Sequence, residues 1–190
     1  MQFFLGLWEN ETHRYLARFT RDISTAIDAG AGIGEHTLFF LKKTNASQVV
    51  AFEPSVNLCS EIKRAALLNG YDVDGPSSRL KIYNSCLGSS HIQTSLTLDD
   101  FLDVIKPPCF IKIDVDGAEL DILLGAKKLT KMAGLRFLVE THSTQLEIEC
   151  MKYFKAIHYT TVLIKNAFWR LLIPEERGKL LNRWFFAYNG

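Results

Sequence analysis

The segment FIKIDVDGAEL, residues 110–120, sets Lys112, Asp114 and Asp116 at alternate positions of an otherwise apolar run. Side chains alternate across a β-strand, so these charges share one side while Ile111, Ile113 and Val115 share the other. A central parallel strand is expected to be apolar on both faces. Its charges must therefore compensate one another or face a polar cleft, because an isolated buried charge is costly. A second run, RFLVETH, ends in Glu140 and His142. If strand order follows the usual winding, the two strand ends are neighbours and Asp114, Glu140 and His142 converge. Such a group suits two chemistries. His142 can act as general base with Asp114 orienting it or the acceptor; alternatively, the oxygen and nitrogen atoms can ligate a divalent cation. The structural alternative is a Lys112–Asp114 pair at a sheet edge.

A third stretch, IDAGAGIGEHT (residues 27–37), has Gly30, Gly32 and Gly34 within five positions, between an apolar run and a helix-like run. Small residues there let a ligand approach backbone N–H groups. A phosphate-binding Walker loop would need a lysine after the last glycine, and Glu35, His36 and Thr37 follow instead. A dinucleotide fingerprint needs its third glycine one residue later, where Glu35 stands. A nucleoside-like ligand without phosphates remains. Some twenty residues on, VVAFEPS delivers Glu53 at the end of a further apolar run, where a carboxylate can accept both hydrogens of a ribose diol.

The elements that must position these residues follow from the hydrophobic pattern. Apolar, β-branched runs alternate with amphipathic helical segments, as in a parallel sheet covered on both faces. The expected helices span 9–20, 35–44, 56–69, 98–104, 118–131 and 144–155. The expected strands span 24–29, 48–53, 79–84, 109–114, 135–140, 157–165 and 183–188. Ser55 is placed to cap the third helix, and Thr97-x-x-Asp100 reads as a variant capping box. Ligands of open α/β sheets bind beyond the carboxyl ends of the strands, where Asp28, Glu53, Asp114, Glu140 and His142 fall.

Composition narrows the class further. The 190 residues carry 22 basic and 21 acidic side chains, which gives no general attraction to nucleic acid or anionic membrane. Four cysteines without a C-x-x-C pair indicate neither a zinc site nor a disulfide framework. The opening MQFFLGLWENE lacks a basic start and turns acidic, unlike a signal peptide, and a cytoplasmic protein is the expectation. The length suits one domain, with residues 1–22 as an amino-terminal helical cover and 23–190 as the core. The segment 167–186, rich in aromatic and basic residues, reads as packing of the last strand, or as a surface for substrate, RNA or a second subunit in a homodimer.

From LWENE through IDAGAGIGEHT, AFEPS, SLTLDDFL, IKIDVDGAEL and LVETH, the chain resembles the FkbM-like methyltransferases, Rossmann-type enzymes that use S-adenosylmethionine. SLTLDDFL followed by IKIDVDGAEL is the specific part. One position departs: family members often carry Glu where this chain has Asp116. The resemblance implies a doubly wound α/β sheet of about seven strands, mostly parallel, whose last strand inserts antiparallel. It implies S-adenosylmethionine over Gly30, Gly32 and Gly34, with Asp28 beneath, Glu53 on the ribose, and Ser85 and Cys86 along the adenine. The methionine carboxylate would meet the N–H groups opening the helix after Gly34. Asp114, His142, Glu140 and Lys112 are then the catalytic candidates, with no resident metal assigned. The expected reaction is O-methylation of a hydroxyl on a small molecule or glycan. RNA methylation, or cofactor binding without catalysis, are the alternatives.

Overall fold

The computed structural model describes residues 10–90, 95–165 and 183–190. Helix α1 (Asn10–Phe19) precedes β1 (Thr25–Ala29), α2 (Glu35–Lys43), β2 (Gln48–Phe52), α3 (Val56–Leu68) and β3 (Leu80–Tyr83). A 3-10 turn (Leu98–Phe101) leads into β4 (Cys109–Ile113), α4 (Glu119–Leu124), a second 3-10 turn (Leu129–Lys131) and β5 (Leu135–Thr141). The chain closes with α5 (Thr144–Ala156), β6 (Thr160–Leu163) and β7 (Arg183–Tyr188). The sheet order is β3-β2-β1-β4-β5-β7-β6. All pairs are parallel except those of β7, which is antiparallel to both β5 and β6. The strand order therefore reverses between β1 and β4, and the crevice above that point is where an open α/β sheet receives its ligand.

Alternation along each strand divides the core in two. Ile27, Val50, Ile111, Ile113, Phe137, Val139 and Phe185 face one side, where Ile122 and Leu123 of α4 and Phe154 of α5 cover them. Ala26, Val49, Phe110, Leu138, Trp184 and Phe186 face the other, under Leu16 of α1, Phe40 and Leu41 of α2 and Ile62 of α3. Phe19 of α1 packs with its ring tilted against Phe186 at a centroid distance of 4.3 Å, so this helix covers the sheet at β7. The buried residues of β1 and β4 include two charges on the α2 side, Asp28 and Lys112, which are direct register partners. No helix among the described residues is long and apolar enough to cross a membrane.

The capping expectations hold. Ser55 accepts from the Leu58 N–H, and Thr97 and Asp100 form a reciprocal capping box, although the helix that follows is a single 3-10 turn. Two further elements differ from the expected spans. The helix expected over 118–131 stops at Gly125, because that residue packs against the Gly88 carbonyl so closely that a Cβ would lie 2.0 Å from its oxygen. Asp99 then accepts from the Lys128 and Leu129 N–H groups and starts a separate turn. The strand expected over 157–165 begins only at Thr160, because residues 157–159 close α5: His158 adopts a left-handed φ of 64° and the Tyr159 N–H returns to the Phe154 carbonyl. Most of segment 167–186 lies outside the described residues, and Arg183–Phe186 belong to β7.

Candidate active site

The glycine loop leaves β1 and is pinned at both ends. The Gly30 and Ala31 N–H groups both donate to the Phe52 carbonyl at 3.0 Å, tying the loop to β2. Gly30 has a φ of 75°, and a Cβ on it would lie 1.8 Å from the Asp114 carbonyl oxygen, so no other residue fits without displacing β4. Gly34 caps α2 at a φ of 88°, pressed against Ile62. Glu53, only 5% exposed, completes the loop: Oε2 accepts from the Gly32 N–H at 2.9 Å and Oε1 from the Ser55 N–H at 2.8 Å. Each carboxylate oxygen has a second lone pair free for a ligand hydroxyl.

Beneath the loop lies the charged face foreseen on β4. Asp28 accepts from the Thr37 hydroxyl at 2.6 Å through Oδ2, while Oδ1 stands 3.4 Å from Lys112 Nζ. Lys112 also donates to the Gly30 carbonyl at 2.8 Å and lies 3.4 Å from Asp114 Oδ2. One buried ammonium thus neutralises the ends of two strands and fixes the loop between them. Truncating either partner of such a buried pair leaves an uncompensated charge and costs about 3–5 kcal/mol.

At the ends of β4 and β5 the second polar group gathers around His142. Its Nδ1 is 2.5 Å from Oε1 of Glu119, a fully buried residue of α4 that also accepts from the Gly117 N–H at 3.0 Å. Nε2 faces Asp116 Oδ1 at 3.3 Å, Asp114 Oδ1 at 3.6 Å and Glu140 Oε2 at 4.0 Å. Burial of the ring lowers the imidazole pKa, but the Glu119 hydrogen bond and the charges of Glu119, Asp114 and Asp116 outweigh it, and the net shift is upward. Asp116 holds a left-handed φ of 50° ahead of Gly117, a conformation that the short aspartate side chain tolerates better than most residues.

A cavity of about 710 Å³ joins the two groups, within the range of roughly 300–1,000 Å³ usual for ligand sites. Its walls include Gly30, Gly32, Glu53, Ser85, Cys86, Asp114 and His142. Asp28, Gly34, Lys112 and Glu140 support that wall from behind: the first three form or brace the glycine loop, and Glu140 is 1% exposed. Lys112 accordingly positions strand ends and does not face the cavity. Sequence reasoning overlooked Glu119, and it gave no role to the apolar lining of Phe52, Leu58, Leu87 and Val115. His36 lies off the cavity, its ring 6.4 Å from that of Trp184; burial, and then the charge of Lys112, lower its pKa to about 4. Cys109 is buried at the start of β4, the opposite end of the strand from Asp114.

A sequence model of the methyltransferase FkbM domain matches residues 28–179, which takes in the glycine loop, Glu53, the Asp114 strand and the Glu140–His142 strand. The chain belongs to the FkbM methyltransferase family. Among solved structures, it is similar to methyltransferase FkbM from Methylobacillus flagellatus KT, with 21% identity and a TM-score of 0.68 over 87% of this chain and 43% of that one. The chain thus spans less than half the length of that relative. It is also similar to SMU.1697c from Streptococcus mutans in complex with SAH, at 13% identity and a TM-score of 0.62 over 95% of this chain and 97% of that one. An rRNA methylase from Streptococcus thermophilus matches at 13% identity and a TM-score of 0.59, over 94% and 93%. At these identities the structural likenesses speak for the fold: a mostly parallel, Rossmann-like sheet with one antiparallel strand near its edge. No curated protein matches the sequence of this FkbM-family chain.

Proposed function

We propose that the chain is one methyltransferase domain that moves a methyl group from S-adenosylmethionine to a hydroxyl oxygen of a small molecule or glycan. The observation that carries this reading is a cavity with the glycine loop and Glu53 at one end and Asp114 and His142 at the other. Family membership supports the cofactor, as does the fold shared with a protein solved with SAH. The residues present fit it. Gly30 and Gly32 leave room for the methionine and ribose, Glu53 retains lone pairs for the ribose hydroxyls, and Phe52, Leu58 and Leu87 supply an apolar wall for the adenine beside Ser85 and Cys86. Among the described residues no Lys or Arg side chain lines the cavity, in keeping with a ligand that carries no phosphate.

Bound so, the cofactor would supply a sulfonium methyl group at the Asp114 and His142 end. The acceptor oxygen would form the new C–O bond while the C–S pair stays on sulfur, which becomes neutral; the hydroxyl proton would leave to water through the polar Asp114–His142 end. Holding donor and acceptor in line can lower such a barrier by roughly 7–11 kcal/mol. Activation of the hydroxyl at the Asp114–His142 end supplies the remainder. RNA as acceptor rests on the aromatic and basic segment 167–186, most of which lies outside the described residues, and the nearly neutral composition does not favour it. Calorimetry with SAH and with NAD tests the cofactor assignment. SAH is expected to bind more tightly; tighter binding of NAD would overturn it.

A further inference from the structure

The polar end of the cavity, with Glu140 just behind its wall, is built as a ligand set. One oxygen each of Asp114 and Glu140 and one imidazole nitrogen of His142 lie within 4.8 Å of one another. From Nε2 to Asp114 Oδ1 is 3.6 Å, and to Glu140 Oε2 4.0 Å. These gaps exceed a hydrogen bond. They match a shared cation instead, since atoms bound at about 2.1 Å to one octahedral centre are roughly 3 Å apart when adjacent and roughly 4 Å when opposite. Glu140 lies in β5, and Asp114 and His142 immediately follow the neighbouring strands β4 and β5, so the sheet brings the three together.

Glu119 gives the second, independent observation. Fully buried at Nδ1, it can only accept from that nitrogen, so in the neutral imidazole Nε2 carries the lone pair on the side of Asp114 and Glu140. The His142 side chain is 6% exposed, and Nε2 makes no hydrogen bond among the described residues. A buried carboxylate behind one imidazole nitrogen with the other aimed at oxygen ligands is the arrangement that orients metal-bound histidines. Asp116, 92% exposed at the mouth, stands close enough to add a fourth oxygen.

We propose that Asp114, Glu140 and His142 Nε2 bind one divalent cation of the Mg2+ or Mn2+ class at the transfer end of the cavity. Two carboxylates with one imidazole suit such an ion. Its role rests on the hydroxyl-methylation reading: the cation takes the acceptor oxygen as a further ligand, lowers the pKa of that hydroxyl, and releases the proton to water at the mouth beside Asp116. His142 then serves as a ligand and not as the base. Binding of the ion itself does not depend on that reading.

The test is titration of the chain with Mn2+, free Mn2+ being followed by electron paramagnetic resonance, with SAH affinity and thermal melting measured on the same samples. The wild-type chain is expected to bind one Mn2+. Glu140→Gln, which leaves the cavity wall intact, should weaken Mn2+ at least tenfold and leave SAH affinity unchanged. Glu119→Gln should weaken Mn2+ roughly 10- to 100-fold without removing a ligand. If a folded wild-type chain binds SAH but takes up no Mn2+ at millimolar concentration, the cation site is overturned and the methyl-transfer reading stands. Equal Mn2+ binding by both variants also overturns it. Failure to bind either Mn2+ or SAH would defeat both readings.

Discussion

Replacement of Glu53 by glutamine isolates the cofactor end of the cavity. The carboxylate accepts one backbone N–H on each oxygen, from Gly32 at 2.9 Å and from Ser55 at 2.8 Å. An amide of the same shape has only one acceptor oxygen, so its NH2 group must meet one of those N–H groups donor to donor. At least one charge-assisted hydrogen bond is lost, and the pairing with a ribose diol is weakened. A hydrogen bond to a charged group is worth about 1.5–3 kcal/mol, which corresponds to a fall in SAH affinity of roughly 10- to 150-fold. The same loss in the unliganded protein lowers the melting temperature by roughly 3–12 °C. Glu53→Ala removes every acceptor and should reach the upper part of both ranges. Isothermal calorimetry with SAH reads the first effect, and a thermal melt confirms that the variant folds. A folded Glu53→Gln protein with wild-type affinity would refute the placement of the ribose.

Substitutions at the other end should separate rate from binding. His142→Ala and Asp114→Asn are expected to slow single-turnover methyl transfer at least a hundredfold while changing cofactor affinity little, because Glu53 and the glycine loop lie over other strands; wild-type turnover by both would remove them from the chemistry. A pH effect is expected from His36, whose folded pKa of about 4 lies below the unfolded value near 6.5. Between those values the unfolded chain binds the extra proton, so stability is complete above pH ~6.5 and declines toward pH ~4, by on the order of 3 kcal/mol. Urea unfolding of His36→Gln should lack this part of the decline; an unchanged difference between pH 7 and pH 4.5 would count against a half-buried, neutral imidazole.

Much of the site was legible in the sequence because parallel sheets concentrate it. The glycine loop, Glu53, Asp114 and His142 each end an apolar run, and strand ends in this topology face one crevice. The face of Lys112 was legible too, from alternation alone. Its partner was not: the sequence suggested Asp114, whereas the structure divides the ammonium between Asp28, Asp114 and the Gly30 carbonyl, a choice set by the β1–β4 register. Glu119 was missed because an acidic residue in the first turn of a helix has an ordinary explanation in the helix dipole; only the turn at Asp116 and Gly117 brings it under His142. The early end of α4 depended on Gly125 meeting Gly88, residues 37 positions apart in the numbering and unrelated by any local pattern.

The central claim is that one cavity holds the cofactor at the Glu53 end and carries out transfer at the Asp114–His142 end. A crystal structure of the chain soaked with SAH tests it most directly. The account predicts ribose hydroxyls within hydrogen-bonding distance of Glu53, the adenine beside Ser85 and Cys86, and the sulfur facing Asp114 and His142. A well-ordered SAH bound elsewhere, or bound here with its sulfur turned away from Asp114 and His142, would contradict it.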